Sequence, residues 1–138
     1  MADHWEHGQE LVDALNELAQ NRPISATRVR VAANVAMEKI REYKMVVYTI
    51  EKFIRKSPPE YRLPGIYVVD AVCRHSRQKL GAQRDVFTPR FALRLSDTLA
   101  ALKDVPEGDR KKLNHVVAEW GRRGLFPAAA PLDFEGLD

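Results

Sequence analysis

The chain has a single cysteine, Cys73, which excludes an internal disulfide and fits a reducing compartment, cytosolic or nuclear. No apolar run approaches the roughly 20 residues of a membrane span. Strict alternation of apolar and polar positions is missing, as are the turn pairs that close short hairpins, so strands are not expected. Low-complexity segments and marked helical repeats are also absent. The opening MADHWEHGQE has neither a basic start nor an apolar stretch and does not read as a secretory leader. Glycine-rich phosphate loops, HExxH and GxSxG do not occur. Charge is close to balanced, with a formal net of +3, which suits an anionic partner but lacks the strong basic stripe of a nucleic-acid binder.

What is present is 138 residues, 45% hydrophobic and 30% charged, enough for one small domain with a real core. It is expected to span 1–138, with its core over about 7–126. Leu11, Leu15 and Leu18 set a first helix over about His7 to Gln20, interrupted by Asn21-Arg22-Pro23. Ser25 is a good N-cap for a second helix with Val29, Ala33, Ala36, Met37 and Ile40 on one face. That stripe loses phase near Tyr43. A third helix buries Val46, Val47, Ile50, Phe53 and Ile54 and stops at Ser57-Pro58-Pro59. The organising stretch is Leu63 to Gly81, LPGIYVVDAVCRHSRQKLG. Pro64 suits its first turn, Gly81 its end, and Ile66, Val69, Val72 and Cys73 its core face. Further on, Phe87, Phe91, Leu95, Thr98, Leu99 and Leu102 recur at helical steps, with Pro89 expected to mark a break. Pro106 opens a last helix carrying Leu113, Val116, Val117 and Trp120, stopped between Gly121 and Gly124, with Phe126 folding back onto it. The tail is expected either to hold one more turn or to be disordered. Short connections place successive helices antiparallel, as a compact bundle or short right-handed superhelix.

Catalytic signals are weak. Cys73 and His75, two residues apart on a helix, point to different sides and cannot form a thiolate–imidazole pair. His4, Glu6 and His7 offer metal-ligating side chains, but at the chain start, where a mobile segment is the expectation. The chain is therefore read as a binding module rather than an enzyme, with no cofactor or metal. Tyr67, Asp70 and Arg74 form a second, polar stripe on the central helix at i, i+3 and i+7. They read either as one wall of a binding groove or as a surface set with an Asp70–Arg74 ion pair contributing a few tenths of a kcal/mol. Arg22 to Arg28 gathers a hydroxyl cap, free N–H groups and an arginine at a helix start, which is either an anion seat or a plain N-cap. Lys111, Lys112, His115, Glu119 and Arg122 form a charged face on the last helix, ordinarily just a solvated surface.

The run PIS-x-x-x-V from Pro23, the block YKMVVYTIEKFIRKSPPEYRLPGIYVVDAVCRHSR, the segment DVFTPRF and the ending W-x-x-x-G-L-F together resemble the CTD-interacting domain. The likeness covers about Leu11 to Phe126. It is nearest to the SR-related CTD-associated factors and looser to yeast termination factors. The resemblance implies an all-α, right-handed superhelical bundle of about seven to eight helices, related to VHS and ENTH domains. It implies a nuclear monomer that binds the phosphorylated heptad repeat Y-S-P-T-S-P-S of the RNA polymerase II C-terminal tail, linking transcription to RNA processing or termination. It implies no membrane contact, and RNA binding only through other regions of a longer protein. By position, Tyr67 and Asp70 would hold the ligand tyrosine, Asp70 accepting its hydroxyl proton, with Val29 as apolar wall. Ser25 and Arg28 would meet phosphate on the fifth serine, and Arg74 would border the groove.

Two positions depart from the family pattern. Ala71 replaces a usual serine, with little expected effect on the helix. His115 stands where members reading second-serine phosphate carry arginine. Arginine is always charged, whereas histidine has an ordinary value of about 6.5. Losing a charge-assisted bond of roughly 1.5–3 kcal/mol would cost on the order of ten- to a hundredfold in affinity. Reading of that phosphate should then be weaker, or should strengthen as pH falls from about 7.5 towards 6.5. The alternative from another class is a VHS/ENTH-like adaptor for acidic peptides, ubiquitin or a membrane surface, which would want an exposed apolar helix or a lysine cluster. Direct RNA binding ranks last, since aromatic stacking platforms are not evident.

Overall fold

The structure is a computed structural model that describes residues 5–134. His4 and the last residues of the tail lie outside the described residues. Among those described there are seven α-helices and no strand. They are α1 (Gln9–Gln20), α2 (Ala26–Glu38), α3 (Tyr43–Lys56), α4 (Arg62–Leu80), α5 (Phe87–Ala92), α6 (Leu95–Ala100) and α7 (Glu107–Arg123). Short 3-10 turns at Glu6–Gly8, Ile40–Glu42 and Pro59–Tyr61 join or precede them. The turn at Ile40–Glu42 falls where the apolar stripe of α2 loses phase.

Helix α4 is the axis of the molecule, and α1, α2, α3, α5 and α7 all pack on it. Leu63, Ile66, Val68, Val69, Val72 and Cys73 are buried, so the helix is apolar around most of its circumference. Pro64 lies in its first turn, where a missing N–H breaks no intrahelical bond. Gly81 ends it at φ 82°, a backbone state that favours glycine. A Cβ at Gly65 would come within 2.5 Å of the Ile54 side chain, so the absence of one lets α3 and α4 approach closely. The buried side of α2 is made of Ala32, Ala33, Val35 and Ala36, small residues that admit α1 and α4 on both flanks. Val29 and Met37, expected on that same face, are only half-buried. The consequence is that Val29 is available to a groove.

One expectation is corrected. Pro89 does not mark a break: α5 begins at Phe87 and carries Pro89 in its first turn, where the N–H is spare anyway. The interruption falls instead at Leu93–Arg94, between α5 and α6. The start of α5 is fixed by Asp85, whose Oδ1 accepts from the Phe87 and Thr88 N–H groups at 3.0 and 3.1 Å and from the Ser76 hydroxyl at 2.7 Å. The tail does hold one more turn, the Ala129 N–H donating to the Phe126 carbonyl at 3.0 Å, and the segment after it is fixed up to Phe134. Asn114 on α7 donates to the Leu132 carbonyl at 2.8 Å and accepts its N–H at 2.7 Å, pinning the segment as a strap. Phe126 does fold back, with its ring edge-on to Trp120 at 4.9 Å.

Candidate binding groove

Helices α2, α4 and α7 enclose an open groove of about 650 Å³. Pro23, Ile24, Ala26 and Val29 supply its apolar wall, from the start of α2 and the loop before it. Tyr67 faces them from α4, and Asp70, Arg74, His75 and Gln78 follow along the same helix. At about 1.5 Å per residue, Arg74 to Gln78 lie roughly 10–16 Å beyond Tyr67 along the axis. Arg30 enters from α2 and Lys112 from α7. The polar stripe on the central helix is therefore a groove wall. The i, i+4 ion pair also forms, with Arg74 Nε donating to Asp70 Oδ2 at 3.0 Å, so the two readings of that stripe describe one object.

Asp70 is held from both sides. Its other oxygen, Oδ1, accepts the indole N–H of Trp120 at 2.9 Å. Trp120 is fully buried, and a buried indole N–H needs an acceptor. The Asp70 side chain remains 18% exposed, and each carboxylate oxygen keeps a lone pair for a ligand hydroxyl. Sequence reading placed Trp120 only on the apolar face of α7. The signal that would have found its role is chemical: a buried tryptophan beside a lone acid on a neighbouring helix.

Tyr67 sits at the end of the groove nearest the loop between α1 and α2. Burial raises its phenol pKa, and the Asp109 carboxylate pushes the same way, with Arg22 opposing. The phenol therefore stays protonated and can both donate and accept. Arg22 and Asp109 are joined: Arg22 Nη2 donates to Asp109 Oδ1 at 2.9 Å and Oδ2 at 3.2 Å. This clasp ties the loop that carries Pro23 and Ile24 to the first turn of α7. Its partners are 87 residues apart, and no local pattern announces it.

The remaining candidates lie around the groove rather than in it. Ser25 stands between the lining residues Ile24 and Ala26, and its Oγ accepts the Arg28 N–H at 3.2 Å as the N-cap of α2. The Arg28 side chain turns to Glu17 on α1, at 3.8 Å. His115 is exposed on α7 and is not among the lining residues, whereas Lys112, one turn earlier, is. Glu119 gathers Arg122 and Arg123, which hold its carboxyl down at about 2; that part of the charged face is satisfied by its own pairs. Cys73 is buried, and burial pushes its thiol well above the ordinary range. No described helix is long and apolar enough to cross a membrane, and no group of metal-ligating side chains gathers among the described residues.

Comparison with known proteins bears on the family and the fold. A family model described as the CID domain matches residues 9–131. The chain is 39% identical over 104 residues to the SR-related and CTD-associated factor 4 of Homo sapiens, covering 75% of this chain and 9% of that protein. It is 38% identical over 104 residues to the SR-related and CTD-associated factor 8 of Mus musculus, covering 75% and 8%. This chain thus spans under a tenth of the length of those relatives. The CTD-interacting domain of Seb1 from S. pombe superposes with a TM-score of 0.73 over 86% of each chain at 18% identity, which speaks for the helical fold.

Proposed function

The chain belongs to the CID domain family, and from that premise we propose that it is a peptide-binding module for the C-terminal heptad-repeat tail of RNA polymerase II. The ligand is taken in phosphorylated form, in the groove between α2, α4 and α7. The observation that carries this reading is Asp70, presented into the groove and fixed by Trp120 and Arg74. A preorganised acceptor beside Tyr67 and the apolar wall of Val29 suits a tyrosine side chain, whose ring is apolar and whose hydroxyl needs an acceptor. Ser25 and Arg28 at one flank and His115 at another are the groups proposed to meet phosphoserines. The setting is nuclear, where the domain couples the transcribing polymerase to RNA processing or termination. RNA contact belongs to other regions of a longer protein.

Titration of labelled heptad peptides against the wild type and Asp70→Asn tests this. Asparagine keeps the shape but weakens the acceptor, so unmodified and phosphorylated peptides should both lose about tenfold in affinity. Equal binding by the two proteins would remove Asp70 from the site. Binding to acidic vesicles or ubiquitin, with none to heptad peptides, would replace the reading with that of an adaptor.

A further inference from the structure

Two hydroxyl residues of the chain are followed directly by proline, Ser57-Pro58 and Thr88-Pro89, and the fold treats them in opposite ways. Thr88 is 3% exposed, inside α5. Ser57 follows the last residue of α3 and is half-buried, with Lys56 and Pro58 exposed on either side. Its backbone (φ −73°, ψ 154°) and that of Pro58 (φ −54°, ψ 150°) are extended, as a residue before proline prefers. No hydrogen bond engages the Ser57 hydroxyl among the described residues. Arg62, in the first turn of α4, reaches back to this point. Its Nε donates to the Ser57 carbonyl at 2.9 Å, its Nη1 to the Ala101 carbonyl at 2.6 Å and its Nη2 to the Arg55 carbonyl at 3.3 Å. No carboxylate pairs with this guanidinium among the described residues, and two of its five N–H groups are left over. A serine Oγ lies only about 3–4 Å from its own carbonyl oxygen, so the cation and the hydroxyl share one place.

We propose that Ser57 is a phosphorylation site for a proline-directed kinase, and that the Arg62 guanidinium receives the phosphate. The site goes beyond peptide binding and does not depend on it. In the transfer, Ser57 Oγ forms a bond to the γ-phosphorus of ATP as the bond from that phosphorus to the β–γ bridging oxygen breaks. ADP leaves, and the hydroxyl proton passes to the catalytic carboxylate of the kinase. The product carries a charge of about −1.5 to −2 and three acceptor oxygens, beside a planar fork of donors that suits them. A dianion at a helix C-terminus is ordinarily opposed by bare carbonyls. Here the Phe53 carbonyl accepts the Ser57 N–H at 3.0 Å and the Arg55 carbonyl accepts from Arg62, so a cation caps this end. Lys56, Ser57 and Pro58 line a second cavity of about 470 Å³ on the α1–α3 side, which shares no lining residue with the peptide groove. Phosphorylation therefore recharges that face and leaves the groove open.

Incubation of the folded chain with a purified mitogen-activated protein kinase, ATP and magnesium tests this, read by intact mass and by sequencing of the labelled peptide. A single phosphoryl group should be incorporated, at Ser57 and not at Thr88. Ser57→Ala should abolish the incorporation, and Pro58→Ala should remove most of it. Phosphorus NMR of the modified chain then reads the seat. The second ionisation of the phosphate should lie below its ordinary value near 6 in the folded protein, because a neighbouring guanidinium favours the dianion, and should return to that value in urea. No incorporation into the folded chain, incorporation at Thr88 instead, or an ionisation that urea leaves unchanged overturns the proposal.

Discussion

Glu51 shows how a single side chain can sit against the logic of its surroundings. It lies on α3, is 5% exposed, and its Oε2 is buried with no hydrogen-bond partner among the described residues. Burial raises its pKa from 4.5, although Arg94, Arg55 and Arg90 pull it the other way. The folded protein therefore holds this proton more tightly than the unfolded chain. Well below pH 4.5 both states are protonated and the group costs nothing. As pH rises from 4.5 to the higher folded value the unfolded chain gives up its proton first, so stability falls over that window and levels off above it. Glu51→Gln should melt higher than the wild type at pH 7, with the two curves converging near pH 4; a difference independent of pH would mean that the charge is not the cause. Trp120 is the opposite case, a residue whose polar atom and apolar body are both satisfied, by Asp70 and by Phe126. Periodicity placed its ring in the core, and only the packing of α7 on α4 brought its N–H to the acid.

Among the elements, α2 carries the sharpest ambiguity. Ser25 was legible as a cap because a hydroxyl before a helical stripe is a local signal, and the hydrogen bond to the Arg28 N–H is present at 3.2 Å. Whether it also meets phosphate is separable from capping. Aspartate caps as well as serine, whereas alanine loses about 1 kcal/mol of helix stability. Ser25→Asp should therefore unfold in urea within about 0.5 kcal/mol of the wild type. It should nevertheless bind phosphorylated heptads several-fold more weakly, because a carboxylate then faces the phosphate. Unchanged phosphopeptide affinity would confine Ser25 to its cap. Helix α5 teaches the converse. Asp85 caps its start from two and three residues away, a local signal that a reading centred on Pro89 passed over, so the break was placed too early; only the support of that carboxylate by Ser76, nine residues away, is non-local.

At the scale of the whole molecule, the groove exists because three helices distant in sequence are held at fixed separations. The Arg22–Asp109 clasp closes one end, with the Asp109 side chain 5% exposed and that of Arg22 40%. Asp109→Asn should cost about 1–2 kcal/mol, between an exposed and a buried pair. Amide hydrogen exchange near Ile24 and Ser25 should quicken, and heptad affinity should fall as the apolar wall loosens. Stability lost without faster exchange there would show that the clasp does not position the wall. The stripe Tyr67, Asp70 and Arg74, the core face of α4 and the cap at Ser25 were all determined by the sequence, since each depends on spacing within one helix. The pairing of Trp120 with Asp70, the entry of Arg30 and Lys112 into the groove and the displacement of Arg28 and His115 to its margins were decided by tertiary structure alone. Helical periodicity fixes which side of a helix a residue occupies, but which neighbour that side meets depends on crossing angles set by the whole core.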